Sequence, residues 1–280
     1  MKYVAPVIAF AVAASMALPC AASAPVENIS PILLDTQDGE GTTLGLEFEF
    51  SGGRHFTKSN EDPNAATFED IDKLRYSGLA ATYKVSGTVA ADEDRNPKDF
   101  INALIDLQYK SSNPDALGTI TGGAFLKFES DQSFEDQQLV YGIGVTYGKL
   151  AIFGDLDFFG IDLRRGQVDP KEDESRQAVL GTTSLEKYYR NELEILYMFP
   201  IKESIPVIGK MVESFEFNYR YYQESGAPDV IESAKLDRFF LRTFRLNLEH
   251  DLFLAYSNGK LPFDVKEDDF FTLGFSYNLE

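Results

Sequence analysis

Two histidines, His55 and His250, are all the imidazoles this 280-residue sequence holds. A histidine base needs a hydroxyl within hydrogen-bond reach and a third group to orient it. His55 closes the run Ser51-Gly-Gly-Arg-His with Ser59 nearby, and His250 stands in the turn-like Glu249-His250-Asp251. Both read as solvated loop residues, so no catalytic residue is expected, and His55 is the one candidate worth mutating. Carboxylates are far more abundant. Glu61-Asp62, Asp92-Glu93-Asp94, Lys171-Glu172-Asp173-Glu174 and Glu267-Asp268-Asp269 are oxygen-rich runs between patterned segments. Such oxygens suit Ca²⁺ or Mg²⁺, but none has the spacing of a defined calcium loop, and charge runs of this kind are usually solvated. No metal site or cofactor is expected. A third set of charges is interleaved with apolar residues: Glu47, Glu49, Lys84, Asp106, Lys127, Glu129, Glu192, Glu194, Glu216, Arg220, Arg245 and Glu249. Carboxylates and cations along one wall can line water and attract cations, or they can pair and fill the space.

The elements that place this third set follow a period of two, which puts successive side chains on opposite faces of a strand. Leu44, Leu46, Phe48 and Phe50 alternate with Gly45, Glu47, Glu49 and Ser51. The rhythm returns in Leu79 to Val85, Ala103 to Tyr109, Tyr141 to Tyr147, Leu193 to Phe199 and Phe215 to Tyr221. No convincing helix interrupts it. Runs fall near 43–51, 73–89, 99–110, 118–129, 138–147, 150–163, 188–199, 213–223, 237–248, 252–257 and 270–279.

The opening residues stand apart. Lys2 followed by the apolar stretch Val4 to Leu18 and small residues reads as a secretory signal peptide over 1–22, cut after Ala22 with Cys20 and Ala22 as the small pair. Cys20 as a lipid-modified cysteine is the alternative, although Leu18-Pro19 departs from that pattern. The stretch is short for a membrane anchor. Cleavage removes the sole cysteine, so disulfides and thiolate metal sites are excluded from the mature chain. A net charge of −19 argues against nucleic acid or anionic lipid as direct partners.

An export signal, runs of about ten residues and aromatic residues near strand ends favour a transmembrane barrel over a soluble sandwich. Phe50, Tyr109, Tyr147, Phe199 and Tyr221 are candidates for interfacial girdles. In lipid an open sheet edge has no water to bond, so the strands must close. The expectation is an all-β, antiparallel up-and-down barrel over 42–280, with 23–41 as a periplasmic tail. Single-chain bacterial barrels use even strand numbers. About twelve strands are therefore expected, ten being the alternative, with the missing one sought in 52–72. Turns near Gly148-Lys149 and His250-Asp251 would face the periplasm, and 164–186, 225–236 and 259–268 would face outside.

The last run, Phe271, Leu273, Phe275, Tyr277 and Leu279 alternating with Thr272, Gly274, Ser276 and Asn278, resembles the C-terminal strand of Gram-negative outer-membrane proteins of the porin-like class. That resemblance implies an outer-membrane location and the barrel-assembly machinery as partner, although the chain ends Leu279-Glu280 where such strands often end in an aromatic residue. Lipopolysaccharide is the expected lipid partner, bridged to the acidic loops by divalent ions. Ser257-Asn258-Gly259 resembles a fragment of the outer-membrane phospholipase site, but Ala255 stands where its histidine belongs, so the lipid-modifying activity does not carry over. The inward charges then point to a passive channel for small polar solutes with a mild cation preference, lined by Glu47, Glu49, Asp106, Glu192, Glu194, Glu216, Arg220 and Arg245. The competing reading is a plugged structural or adhesive barrel in which these charges pair.

Overall fold

The structure, a computed structural model, describes residues 26–36, 41–56, 77–113, 118–150, 152, 157–201, 211–264 and 266–279. The expected signal peptide, Ser59 and Glu61-Asp62 lie outside the described residues. The strands are β1 (Val26–Thr36), β2 (Gly41–His55), β3 (Ser77–Ala90), β4 (Ile101–Asn113), β5 (Gly118–Ser130), β6 (Gln137–Leu150), β7 (Phe158–Glu172), β8 (Tyr188–Pro200), β9 (Val212–Ser225), β10 (Arg238–Leu248), β11 (Leu252–Lys260), β12 (Asp268–Phe275) and β13 (Tyr277–Leu279). β1 to β11 each pair with the next strand in the chain, and β1 pairs with both β12 and β13, so the sheet closes on itself. β12 and β13 share one register against β1, Ile32 opposite Gly274 and Ile29 opposite Tyr277. They are two runs of a single strand, and the cylinder is a twelve-stranded antiparallel up-and-down barrel.

The interruption at Ser276 has a physical cause. That register sets Ser276 opposite Ser30 and Phe275 opposite Pro31, which has no N–H to give to a ladder. On the other side, Ser276 N–H donates to the Asp251 carbonyl at 2.8 Å, in register with the β11–β12 pairing.

Three sequence expectations need correction. The twelfth strand is β1, inside the segment 23–41 expected to be a tail, and not in 52–72. Its core-side residues Ile32 and Leu34 are apolar and buried, so with Leu33 they make a continuous apolar run that hides the period of two. β7 runs on to Glu172 rather than ending near 163, so 164–172 is wall and not loop. Gly148 and Lys149 are paired within β6, opposite Gly160 and Phe159 of β7, and are not a turn.

Outward residues such as Leu44, Leu107, Ile143, Val145, Leu163 and Leu273 are exposed, while inward residues are mostly buried or half-buried. Strands of 13 to 15 residues rising about 3.3 Å each are long enough, tilted, to cross an apolar band about 25 Å tall. Phe50, Tyr109, Tyr147 and Phe199 fall on the outward face toward the end where β1 enters and β13 leaves, here the base; Tyr221 falls toward the opposite, loop end. Where the wall faces a large inward ring it is pared to glycine: a Cβ on Gly166 would sit 3.0 Å from Phe125 Cζ and 2.8 Å from Val140 Cγ1. The loop end carries 91–100, 131–136, 173–187 with helix α1 (Glu174–Leu180), 226–237 with helix α2 (Asp229–Ser233), and 261–267.

Candidate functional site

Adjacent strands fix which charges can meet. Register places Glu47 and Glu49 on β2, Lys84 on β3, Asp106 on β4, Lys127 and Glu129 on β5, Glu192 and Glu194 on β8, Glu216 and Arg220 on β9, and Arg245 on β10 along one inward face. Arg164 and Asp162 on β7, Arg190 on β8 and Glu224 on β9 join them. Glu249 does not: it lies in the tight turn Glu249–Asp251 between β10 and β11.

Near the loop end the pairs cross the bore. Arg190 Nη2 donates to both Glu129 oxygens at 2.7 Å and to Glu192 Oε1 at 2.6 Å. Lys127 Nζ lies 2.6 Å from Glu129 and 2.5 Å from Glu192. Gln138 Nε2 donates to Glu129 Oε2 at 2.6 Å, and the Arg190 guanidinium lies 5.1 Å from the Tyr222 ring centre. Two cations and two carboxylates from β5 and β8, strands that are not neighbours, thus form one buried network. One level down, Arg164 reaches Asp106 on β4 at 3.1 Å and holds Asp162 on its own strand at 2.9 Å.

Toward the base the pairing changes character. Glu49 meets Lys84 at 2.8 Å and Glu194 meets Arg220 at 3.2 Å, each between adjacent strands and therefore along the wall. Glu47 is reached by Arg245 at 3.8 Å and by Lys98, which dips into the bore from loop 91–100, at 3.2 Å. Side-chain exposure follows this change, from 0% at Glu129 and 9% at Glu192 to 43% at Glu194 and 44% at Glu49. Water therefore reaches the base half of the lumen and not the loop half.

The loop half is closed by an apolar cluster. Ile32, Leu34, Tyr222, Phe239, Leu241, Phe253, Ala255 and Phe270 from the wall pack with Phe100 and Leu261 from the loops, and Phe263 joins at the edge. Polar ties hold the loops down. Gln132 Oε1 accepts from Ala90 N–H and Asn96 Nδ2, both at 2.8 Å, and its own N–H donates to Asp99 at 2.5 Å. Lys260 Nζ donates to the Lys235 carbonyl at 2.6 Å. Arg176 of α1 makes a two-pronged bond to Glu224, both contacts at 2.8 Å. Asp264 accepts from Leu261 N–H at 2.7 Å. Burial pushes Asp99 up to about 7 and Asp264 up to about 8; the N–H bonds each accepts oppose this, and neighbouring carboxylates, Asp131 and Glu93 for the first and Asp99 and Asp268 for the second, reinforce it.

The remaining chemical candidates fall apart in space. His250 is exposed in a turn at the base, with φ of 65°, whereas Ser257 sits toward the other end of β11, buried and bonded to Thr243 Oγ1 at 2.9 Å. Asn258 faces outward and accepts from Arg242 at 2.7 Å. His55 ends β2 opposite Ala80. Glu93, Asp99 and Asp131 bring carboxylate oxygens within 4.8 Å of one another, a grouping that joins two loops and that spacing along the chain did not reveal. Sequence reasoning also missed Arg190, although its place two residues before Glu192 on the same face was a usable signal. Arg164 was missed because its strand was ended too early, and Lys98 and Arg176 because they come from loops.

No family model matches the chain, and no curated protein matches it. Solved structures do. The NanC porin matches with a TM-score of 0.47 and 9% identity over 90% of this chain and 100% of that one. OccK11 (OpdR) of Pseudomonas aeruginosa matches with a TM-score of 0.37 and 10% identity, covering 91% and 96%. A BenF-like porin from Pseudomonas fluorescens Pf-5 matches with a TM-score of 0.38 and 8% identity, covering 92% and 98%. The closed cylinder, apolar on its outer face and charged along much of its inner one, has the architecture of a transmembrane β-barrel.

Proposed function

We propose that this barrel is an outer-membrane channel for small polar solutes or ions, here in a closed state, with its loop end outside and its base toward the periplasm. The observation that carries the reading is the base half of the lumen. It is reached by water, the Glu49–Lys84 and Glu194–Arg220 pairs run along the wall, and charges of both signs remain in contact with solvent. In each of the two wall pairs the carboxylate is more exposed than its cation, Glu49 than Lys84 and Glu194 than Arg220, which supports a mild cation preference. Solute passage requires the loop plug to move. The resemblance of the last strand supports delivery by the barrel-assembly machinery. A second reading, a plugged barrel without transport, is favoured by the packed loop half.

Single-channel recording in a planar bilayer under a salt gradient separates the two. Intermittent openings that favour cations are expected. A folded, heat-modifiable barrel that stays silent at every voltage overturns the channel reading in favour of the plugged one.

A further inference from the structure

The outer wall carries cations at a height where the apolar belt ends. On β7, Arg165 faces outward, exposed, next to outward Leu163. Its guanidinium lies 5.9 Å from the Tyr189 ring centre, and no carboxylate stands within ion-pair distance among the described residues. Gln167, the next outward residue, pairs with Tyr141 of β6 on one side and Tyr189 of β8 on the other, so the three form one cross-strand row. Tyr141 Oη donates to Gln167 Oε1 at 2.5 Å. Above the row, Lys187 places its ammonium 6.0 Å from the Tyr141 ring centre. Lys187 also lies 2.9 Å from Asp169, which Lys171 shares at 3.0 Å. Two cations thus share a single carboxylate, and Arg165 adds a third cation on the same face of β7. Toward the base Asn191 lies beside Arg165, and beyond that pair the same three strands turn apolar on the outward face, with Ile143, Val145, Leu163, Leu193 and Ile195.

In a chain of net charge −19 such a local excess of cations is against the average. An arginine at the edge of a hydrocarbon layer must extend to a phosphate or to water, and tyrosines mark the same interfacial level. We propose that the outer face of β6–β8 seats the phosphate of an outer-leaflet glycolipid, the lipid A portion of lipopolysaccharide. Arg165 and Lys187 bind the phosphate, Tyr141 and Tyr189 pack against the sugar, and the apolar wall below receives acyl chains. The proposal rests on the outer-membrane placement argued above, with the loop end outside. It replaces the expectation that a net-negative protein meets such lipid only through bridging divalent ions: here the contact is direct.

Native mass spectrometry of the detergent-solubilised full barrel, titrated with bisphosphorylated lipid A in chelator, tests it. Discrete lipid A adducts are expected on the unmodified protein, at least tenfold weaker with the dephosphorylated lipid and at least tenfold weaker for the R165Q/K187Q variant. The dephosphorylated lipid keeps the test decisive if that variant does not fold. Equal adducts with both lipids, equal retention of phosphatidylglycerol, or full displacement by equimolar inorganic phosphate overturns the proposal. The measurement is independent of conductance: a barrel that conducts and takes up no lipid A refutes this proposal alone, and one that takes it up and stays silent refutes the channel alone.

Discussion

Replacing Arg190 by methionine removes one of the two cations from the bore-crossing network while keeping most of the side-chain volume. Glu129 and Glu192 would then share Lys127 alone, at 2.6 and 2.5 Å, and a place where Glu129 has no exposure would hold an uncompensated negative charge. Removing one partner of a buried pair costs about 3–5 kcal/mol. Arg190 Nη1 has no hydrogen-bond partner, and relieving that buried donor returns about 1 kcal/mol, leaving a net loss of about 2–4 kcal/mol. E129Q should cost a similar amount for the opposite reason, two cations sharing one carboxylate. The R190M/E129Q double variant restores neutrality, Lys127 with Glu192, and should be more stable than the two single losses added together. With no tryptophan in the chain, urea titrations of refolded barrel are best followed by far-ultraviolet circular dichroism and by heat-modifiable gel mobility. R190M within about 0.5 kcal/mol of the parent, which is the ordinary surface range, or a double variant that loses the full sum, would refute the claim that this network acts as one charge-balanced unit.

Other outcomes follow from the same geometry. L261D puts a carboxylate into the apolar plug where Leu261 is 3% exposed, and should raise the frequency of channel openings in planar bilayers above that of the parent. Because burial holds Asp99 and Asp264 above the ordinary carboxylate range, at about 7 and 8, the protonated forms belong to the packed plug. Their stabilising contribution is complete below about pH 4 and fades as pH rises through those values. Protease cleavage within 91–100 and 261–267 should accelerate as pH rises from about 4 to about 8 and level off above that, and D99N/D264N should flatten that rise. E49Q/E194Q removes two water-reached carboxylates and should roughly halve the cation-to-anion permeability ratio read from reversal potentials; an unchanged ratio would place selectivity elsewhere.

Alternation was legible wherever the two faces of a strand differ chemically. β2 reads cleanly because Phe48 and Phe50 face outward while Glu47 and Glu49 face the lumen, and that contrast alone puts the inward carboxylates on the correct face. β1 does not read, because Ile32 and Leu34 serve the plug while Leu33 faces outward. Phe239-Phe240-Leu241 and Phe270-Phe271 are likewise apolar on both faces, and β10 and β12 were legible only because Arg242 to Asn247 and Thr272 to Phe275 restore the contrast. Whether the lumen is open or filled was not legible, since its answer lies in Phe100, Lys98, Leu261 and Arg176, residues of loops that reach the bore only after the wall has been assembled.

The gap at Ser276 also bears on the order of folding events. It divides the seam between the first and last strands into two short zippers, Ile32–Thr36 with Phe270–Gly274 and Glu27–Ile29 with Tyr277–Leu279. Every other strand contact joins chain neighbours and forms as soon as its hairpin is made, whereas this one joins segments separated by nearly the whole chain. Contacts between distant segments are slow to form because loop-closure entropy is paid first. A ring sealed last, and in two pieces around a proline, has its slowest step at that joint. Replacing Pro31 by a residue with an N–H would let the two zippers run together and shorten the time for which a membrane-inserted intermediate keeps an unpaired edge.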